Sequence, residues 1–439
     1  MQAQNNTIEN MEYTSMIFLY RLLLPAAFLF FLPGLIVKLI RRSGRKKNFA
    51  ERFGFFAKDR KEALSRMQGC IWFHAVSVGE TNVALSLLKK WKELYPERKF
   101  VFSTTTTTAQ EIAWNKVPQG VEVFFCPVDF SWIVRKVLKM IRPSALVIFE
   151  TEIWPNLVTL ARKSGAKVYL ANGRISDRSA KGYSRMRFFF RPILKCFDRI
   201  CVQTSLDQER FCKICPAQEK AICVTGNIKF DQAPSPDLKG IDLTECFGHE
   251  EFLPVLACST HSPEEKILLE AFLEAKKEVK NLKFILVPRH AERGNELEKM
   301  LLDHKVTYHR RSTGKAVNTP VDCLLADTTG ELVKFIASSR IILMGKTFGP
   351  NHEGQNIIEP ASMGKAVITG PAMLNFKQAF SALKEGNGVL ALSDETELAG
   401  AILRLAKDPA YCDEIGANAE KAVAVHRGAS VRTIELLEQ

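Results

Sequence analysis

The chain has 439 residues, 46% of them hydrophobic and 25% charged, with a formal net charge of +13. At roughly 100–200 residues per domain, this length holds two domains that each bury a core, and the composition excludes global disorder. The charge is concentrated: from Lys38 to Arg66 eleven basic side chains stand against three acidic ones.

The first expected element is an apolar segment, Met16–Ile40, close to the roughly 20 residues needed to cross a bilayer and interrupted by Arg21, Pro25 and Pro33. It starts too far into the chain, and lacks the small-residue cleavage site, to read as a removed signal peptide. The basic cluster that follows predicts an anchor with everything after it on the cytoplasmic side, held near anionic headgroups. A half-inserted helix and a buried core helix are the alternatives. Nucleic acid is not an expected partner, because no aromatic residues are set among the cations as a base-stacking module.

Beyond the anchor, short apolar runs alternate with amphipathic ones, the pattern of βα units building parallel sheets. Cys70–Val76, Phe100–Ser103, Val121–Phe125, Ala145–Phe149, Lys167–Leu170 and Arg199–Gln203 read as strands, and Thr104–Thr108 as a strand-to-helix turn. Gln232–Lys239, with two prolines and no apolar periodicity, is the expected linker. The alternation then restarts with Leu253–Ala257, Lys283–Val287, Val321–Leu325, Ile341–Met344 and Ala366–Thr369. The expected organisation is a tail and anchor over 1–40, a Rossmann-like domain over 41–235 and a second over 236–439, the last helix able to pack back on the first domain. Two doubly wound α/β domains imply a ligand in the cleft between them, near the carboxyl ends of the strands.

Chemistry-bearing residues gather at those strand ends. In His74–Glu80 (HAVSVGE) a strand meets a glycine turn and a helix beginning near Thr81, placing Glu80 as a general base if its surroundings raise its pKa, or as a helix-capping carboxylate. Ser77 lacks the flanking glycines of a hydrolase nucleophile. Phe149–Asn156 (FETEIWPN) ends a strand on Glu150 and Glu152, one read as catalytic and the other as structural. The chain holds no Asp-x-Asp for a metal, and Cys212-Lys-Ile-Cys215 lacks a second ligand pair, so the eleven cysteines read as reduced thiols. Lys229 in TGNIKFD, and Arg289 with His290 in VPRH, suit a departing phosphate or a surface ion pair. DTTGEL (Asp327–Leu332) and HEGQNIIEP (His352–Pro360) read as a nucleotide site in which Glu359 accepts ribose hydroxyls or partners a helix dipole. Gly345-Lys346-Thr347 is no P-loop, because Arg340 stands where its first glycine belongs. Arg185–Arg199 interleaves cations with phenylalanines and reads either as a surface for headgroups or an acidic lipid acceptor, or as a core helix.

With these residues in hand, the chain resembles the Kdo transferases of Gram-negative bacteria, which attach 3-deoxy-D-manno-octulosonic acid to a lipid A precursor. The landmarks are HAVSVGE, FETEIWPN, NGRISDRS (Asn172–Ser179), TGNIKFD, Ser259–His261, PRH, DTTGEL and NIIEP, in family order from the anchor to near the carboxyl terminus. The resemblance implies the GT-B fold of two Rossmann-like domains facing across a cleft, CMP-Kdo as donor, lipid IVA as acceptor, an inverting direct displacement, no metal or other cofactor, and a place at the inner membrane. It further implies Glu80 as proton acceptor and Glu150 and Lys229 as transition-state stabilisers. Arg289, His290, Thr329, Gly330, Glu331, Asn356, Ile357, Ile358 and Glu359 would hold CMP. The chain departs from the family pattern at Glu353-Gly354-Gln355, where Gly-Gly-His is usual, at Gly345-Lys346, where a glycine pair is usual, and at Ile357-Ile358, where Pro-Leu is usual. The rival readings are another membrane-associated GT-B transferase using a UDP-sugar, and a non-catalytic membrane scaffold.

Overall fold

A computed structural model describes residues 16–30, 48–232, 234, 238–314, 317 and 319–439. The chain divides into two compact units, Met1–Asp231 with Gly428–Gln439, and Gln232–Arg427. Half of the expected linker, residues 233 and 235–237, lies outside the described residues.

The sheet of the first unit is built from β1 (Ile71–Ala75), β2 (Phe100–Thr104), β3 (Glu122–Phe125), β4 (Ala145–Phe149), β5 (Lys167–Gly173), β6 (Arg199–Val202) and β7 (Ile222–Val224), in the spatial order β3-β2-β1-β4-β5-β6-β7. All its pairings are parallel. Strand periodicity assigns side chains to two buried faces. Trp72, Leu146 and Ile148 join one core with Val134, Val137 and Leu157, whereas Phe73, Phe102, Val147 and Phe149 join the other with Leu87, Leu88 and Trp91. Chain order reverses between β1 and β4, so the crevice at their carboxyl ends is the switch point at which such sheets bind ligands.

The last helix, Ala429–Glu438, belongs to this unit, and its Ala429, Ile434 and Leu437 are buried in the second of these cores. Asp231 of TGNIKFD holds the start of that helix, accepting from Gly428 N and Ser430 N at 2.6 Å each. At the other end Trp91 Nε1 donates to Glu438 (2.7 Å) and Tyr169 OH to the Leu437 carbonyl (3.0 Å).

Residues 16–30 form a helix laid along the first unit. Met16 and Ile17 are buried, Tyr20 OH donates to Asp129 (2.9 Å) and Arg21 Nε to Asn156 (2.7 Å). Phe18, Leu22, Leu29 and Phe30 are exposed. Residues 31–40 of the expected anchor and 38–47 of the basic cluster lie outside the described residues. Among those described, no helix is long and apolar enough to cross a membrane.

The second unit repeats the plan with β8 (Leu253–Thr260), β9 (Leu282–Pro288), β10 (Tyr308–Arg310), β11 (Cys323–Leu325), β12 (Ile341–Met344), β13 (Ala366–Thr369) and β14 (Leu390–Ala391), ordered β10-β11-β9-β8-β12-β13-β14 and parallel throughout. Its core joins Val255, Phe284 and Leu343 of the sheet to Leu268, Phe272 and Ile402 of the helices, with Phe272 stacked on Phe284 at 4.8 Å. Its switch point lies between β8 and β12.

Candidate active site

The carboxylates follow from the first switch point. β1 runs into the helix Val78–Leu94, which begins at Val78, earlier than expected, because Ser77 is its cap. Ser77 Oγ accepts from Glu80 N (3.3 Å) and donates to Glu80 Oε1 (2.7 Å), while Val76 N donates to Glu80 Oε2 (2.9 Å). Ser at the cap and Glu three residues on is the capping-box sequence, here with the return bond made to Val76 N, one residue before the cap. Glu80 is therefore the capping carboxylate of one sequence reading, and its environment also meets the condition set by the other. It is 6% exposed, and burial pushes its pKa up to about 7, against the pull of its two hydrogen bonds and with smaller contributions from Glu150 and Glu152. Desolvation outweighs the cap, leaving a carboxyl that exchanges its proton near neutrality.

Glu150 leaves the end of β4 with φ of 54°, a left-handed conformation rare for a residue with a Cβ, pinned by its N–H to the Ala171 carbonyl (3.1 Å). Glu152 is raised first by burial and then by Glu150. The switch point thus brings Glu80, Glu150 and Glu152 within electrostatic reach of one another. His74, beside them in sequence, is fully buried with Nδ1 against Ser103 Oγ (3.0 Å), and burial lowers its pKa to about 4. It is neutral at physiological pH and no rival base.

Lys229 sits in the 3-10 helix Ile228–Gln232 of the same unit. Asn172, itself at φ 55° at the end of β5, accepts from Ile228 N (3.0 Å), and Asn227 accepts from Lys229 N (3.0 Å). Two NGRISDRS and TGNIKFD residues thereby fix the lysine's backbone.

A buried hub that sequence reasoning missed supports the FETEIWPN loop. Asp129 accepts from Asn156 N (2.9 Å) and Leu157 N (2.8 Å), capping the helix Pro155–Lys163, and also from Tyr20. Burial raises its pKa to about 7. Its partners lie 27 and 109 residues away, out of reach of any local pattern.

The nucleotide-site residues all lie in the second unit. Arg289 and His290 are exposed at the end of β9. Thr329 and Gly330 are exposed, with Gly330 at φ 88° in a turn. Glu331 is held below the usual carboxylate range first by Arg311 (3.0 Å) and then by Thr328. Asn356 Nδ2 donates to Glu359 (2.9 Å) and its Oδ1 accepts from Ile358 N (3.2 Å), while burial raises Glu359. Ile357 and Ile358 are buried. The atypical Glu353–Gln355 stretch is held at two points, Gly354 N donating to the Lys346 carbonyl (2.8 Å) and Asn375 N to that of Glu353 (2.8 Å), and His352 just before it accepts from Leu374 N (3.0 Å).

Arg185–Arg199 has an exposed part and a buried part. Met186 and Phe188 are exposed, whereas Ile193, Leu194 and Phe197 are buried. Phe189 meets Tyr20 of helix 16–30 at 6.2 Å.

Comparison with known proteins agrees with this geometry. A crystal structure of a glycosyltransferase from Rickettsia africae ESF-5 matches with a TM-score of 0.56 at 14% identity, covering 84% of this chain and 97% of that one, a likeness of fold. Two doubly wound units of this kind give the chain a GT-B-like fold. A family model described as 3-Deoxy-D-manno-octulosonic-acid transferase (kdotransferase) matches residues 47–232. The 3-deoxy-D-manno-octulosonic acid transferase of Bordetella pertussis is 32% identical over 87% of this chain and 90% of its own length. That of Chlamydophila psittaci is 31% identical over 81% of this chain and 80% of its own. The chain belongs to the 3-deoxy-D-manno-octulosonic acid (Kdo) transferase family.

Proposed function

We propose that the protein moves Kdo from CMP-Kdo to a glucosamine hydroxyl of a lipid A precursor, lipid IVA, by direct displacement with inversion. The observation that carries the reading is Glu80, a carboxyl poised near pH 7 at the first switch point beside Glu150. Glu80 takes the proton of the acceptor hydroxyl as its oxygen attacks the anomeric carbon of Kdo; the bond to the CMP phosphate breaks and CMP leaves with the electron pair. Glu150 and Lys229 stabilise the charge that develops. Arg289 and His290 attract the phosphate, while Thr329, Gly330, Glu331 and the run Asn356, Ile357, Ile358 and Glu359 hold the nucleotide. No step passes through a metal.

Catalysis takes place at the cytoplasmic face of the inner membrane. The exposed Phe18, Leu22, Leu29 and Phe30 of helix 16–30, with Met186 and Phe188, form the apolar contact with membrane lipids, and the basic residues from Lys38 onward meet the headgroups. Thermal protection by nucleotides tests the donor: CMP is expected to stabilise the protein where UDP does not, and the reverse preference refutes CMP-Kdo.

A further inference from the structure

The second switch point carries a cationic corner that the nucleotide assignments do not use. β8 ends in Ser259-Thr260 and runs into His261, and its neighbour β12 runs into Gly345-Lys346. Both turns are strained, Ser259 at φ 57° and Lys346 at φ 62°. Glu264 locks them together: its fully buried carboxylate accepts from His261 N (2.8 Å), Lys346 N (2.6 Å), Thr347 N (3.1 Å) and Phe348 N (3.3 Å). A glycine would adopt the Lys346 backbone without cost, and that the position holds a lysine makes the side chain itself the feature to explain.

The rings of His261 and His290 meet edge to face at 5.7 Å, so the corner adjoins the end of β9, where Arg289 and His290 are assigned to the phosphate. His261 is held below the usual histidine range by burial and then by Lys346, with His290 adding to it: the corner repels further positive charge. The nearby carboxylates are largely committed. Glu264 serves four N–H groups, Glu265 pairs with Arg293, and Glu353 is a loose partner, 3.9 Å from Lys346 Nζ and 45% exposed.

The chemistry of the donor class supplies a matching ligand. A sugar acid activated as a nucleoside monophosphate carries two anions on one carbon, the phosphodiester and the carboxylate, and a site for it needs two cationic positions side by side. We propose that Lys346 and His261 bind the carboxylate of the donor sugar, next to Arg289 and His290 at its phosphate.

This inference rests on the CMP-Kdo reading, and its test separates the two. In the full chain, Lys346→Gly removes the cation and relaxes the backbone, so folding is preserved; Lys346→Arg keeps the charge. CMP lacks the carboxylate. Lys346→Gly is therefore expected to raise KM for CMP-Kdo by about tenfold or more, the worth of a charged hydrogen bond, while the inhibition constant of CMP changes less than twofold. Lys346→Arg restores most of the loss, and His261→Gln raises KM with the same indifference to CMP. Equal weakening of CMP and CMP-Kdo would move Lys346 to the phosphate and overturn the proposal, as would an unchanged KM. A wild-type protein that neither binds CMP nor transfers from CMP-Kdo would instead overturn the donor reading beneath it.

Discussion

Replacing Glu80 by glutamine keeps the length of the side chain and one acceptor oxygen while removing the charge. The folded carboxyl has a pKa of about 7, raised from the ordinary value of 4.5. Because the folded value is raised, the native protein holds a proton that the unfolded chain has lost between those values, so stability falls as pH rises through that window and levels off above it. Above pH 7 the accumulated cost is about 3 kcal/mol. Glutamine escapes that cost; the hydrogen bonds of the ionised carboxyl to Val76 N and Ser77 are already contained in the raised pKa, so the net gain is about 3 kcal/mol at pH 8. Near pH 4.5 wild-type Glu80 is protonated and the gain disappears. All five tryptophans, at positions 72, 91, 114, 132 and 154, lie in the first unit. Tryptophan fluorescence during heating thus reports this unit alone, with an expected upward shift of roughly 6–12 °C for Glu80→Gln at pH 8 and none at pH 4.5. Transfer by the same variant should fall by roughly 10²–10⁴-fold. A variant destabilised equally at both pH values would refute the reasoning and reduce Glu80 to a helix cap.

For the wild-type protein, log kcat is expected to rise with unit slope below about pH 7 and to flatten above it, as Glu80 loses its proton; a profile flat from pH 5 to 8 would contradict the assigned base. Asp129→Ala strips the cap from helix Pro155–Lys163 and the partner from Tyr20, and should cost roughly 2–4 kcal/mol by the same fluorescence readout. Asp231→Ala should cost about 1–2 kcal/mol and raise amide exchange selectively over Ala429–Glu438, with uniform exchange contradicting its capping role. Changing Leu22 and Phe30 together to serine should weaken sedimentation with anionic vesicles while thermal protection by CMP persists; undiminished binding would remove helix 16–30 from the membrane contact.

Much of this architecture is legible in the order of residues. The eleven expected strands occur, because each carries enough buried apolar residues to register as a run. The three that escape notice, β7, β10 and β14, are edge strands of two or three residues with half-exposed side chains. Local motifs likewise place Glu80 and Glu150 at strand ends, but motif spacing is silent on how far Glu80 is desolvated, which depends on residues from several strands. The hubs Asp129 and Glu264 join segments 27 and 82–84 residues apart, distances at which no period or spacing exists to be read. Lys346 stands in the sequence as a departure from a glycine pair; only its left-handed backbone and the histidines around it turn that departure into a ligand-binding argument.

Mass spectrometry of the lipid after incubation of the purified full-length protein with lipid IVA and freshly generated CMP-Kdo is the most direct measurement. The account predicts one or more Kdo additions to the acceptor, formed roughly 10²–10⁴-fold more slowly by Glu80→Gln. An unmodified lipid with CMP-Kdo, together with a hexose or hexosamine addition from a UDP-sugar, would contradict it.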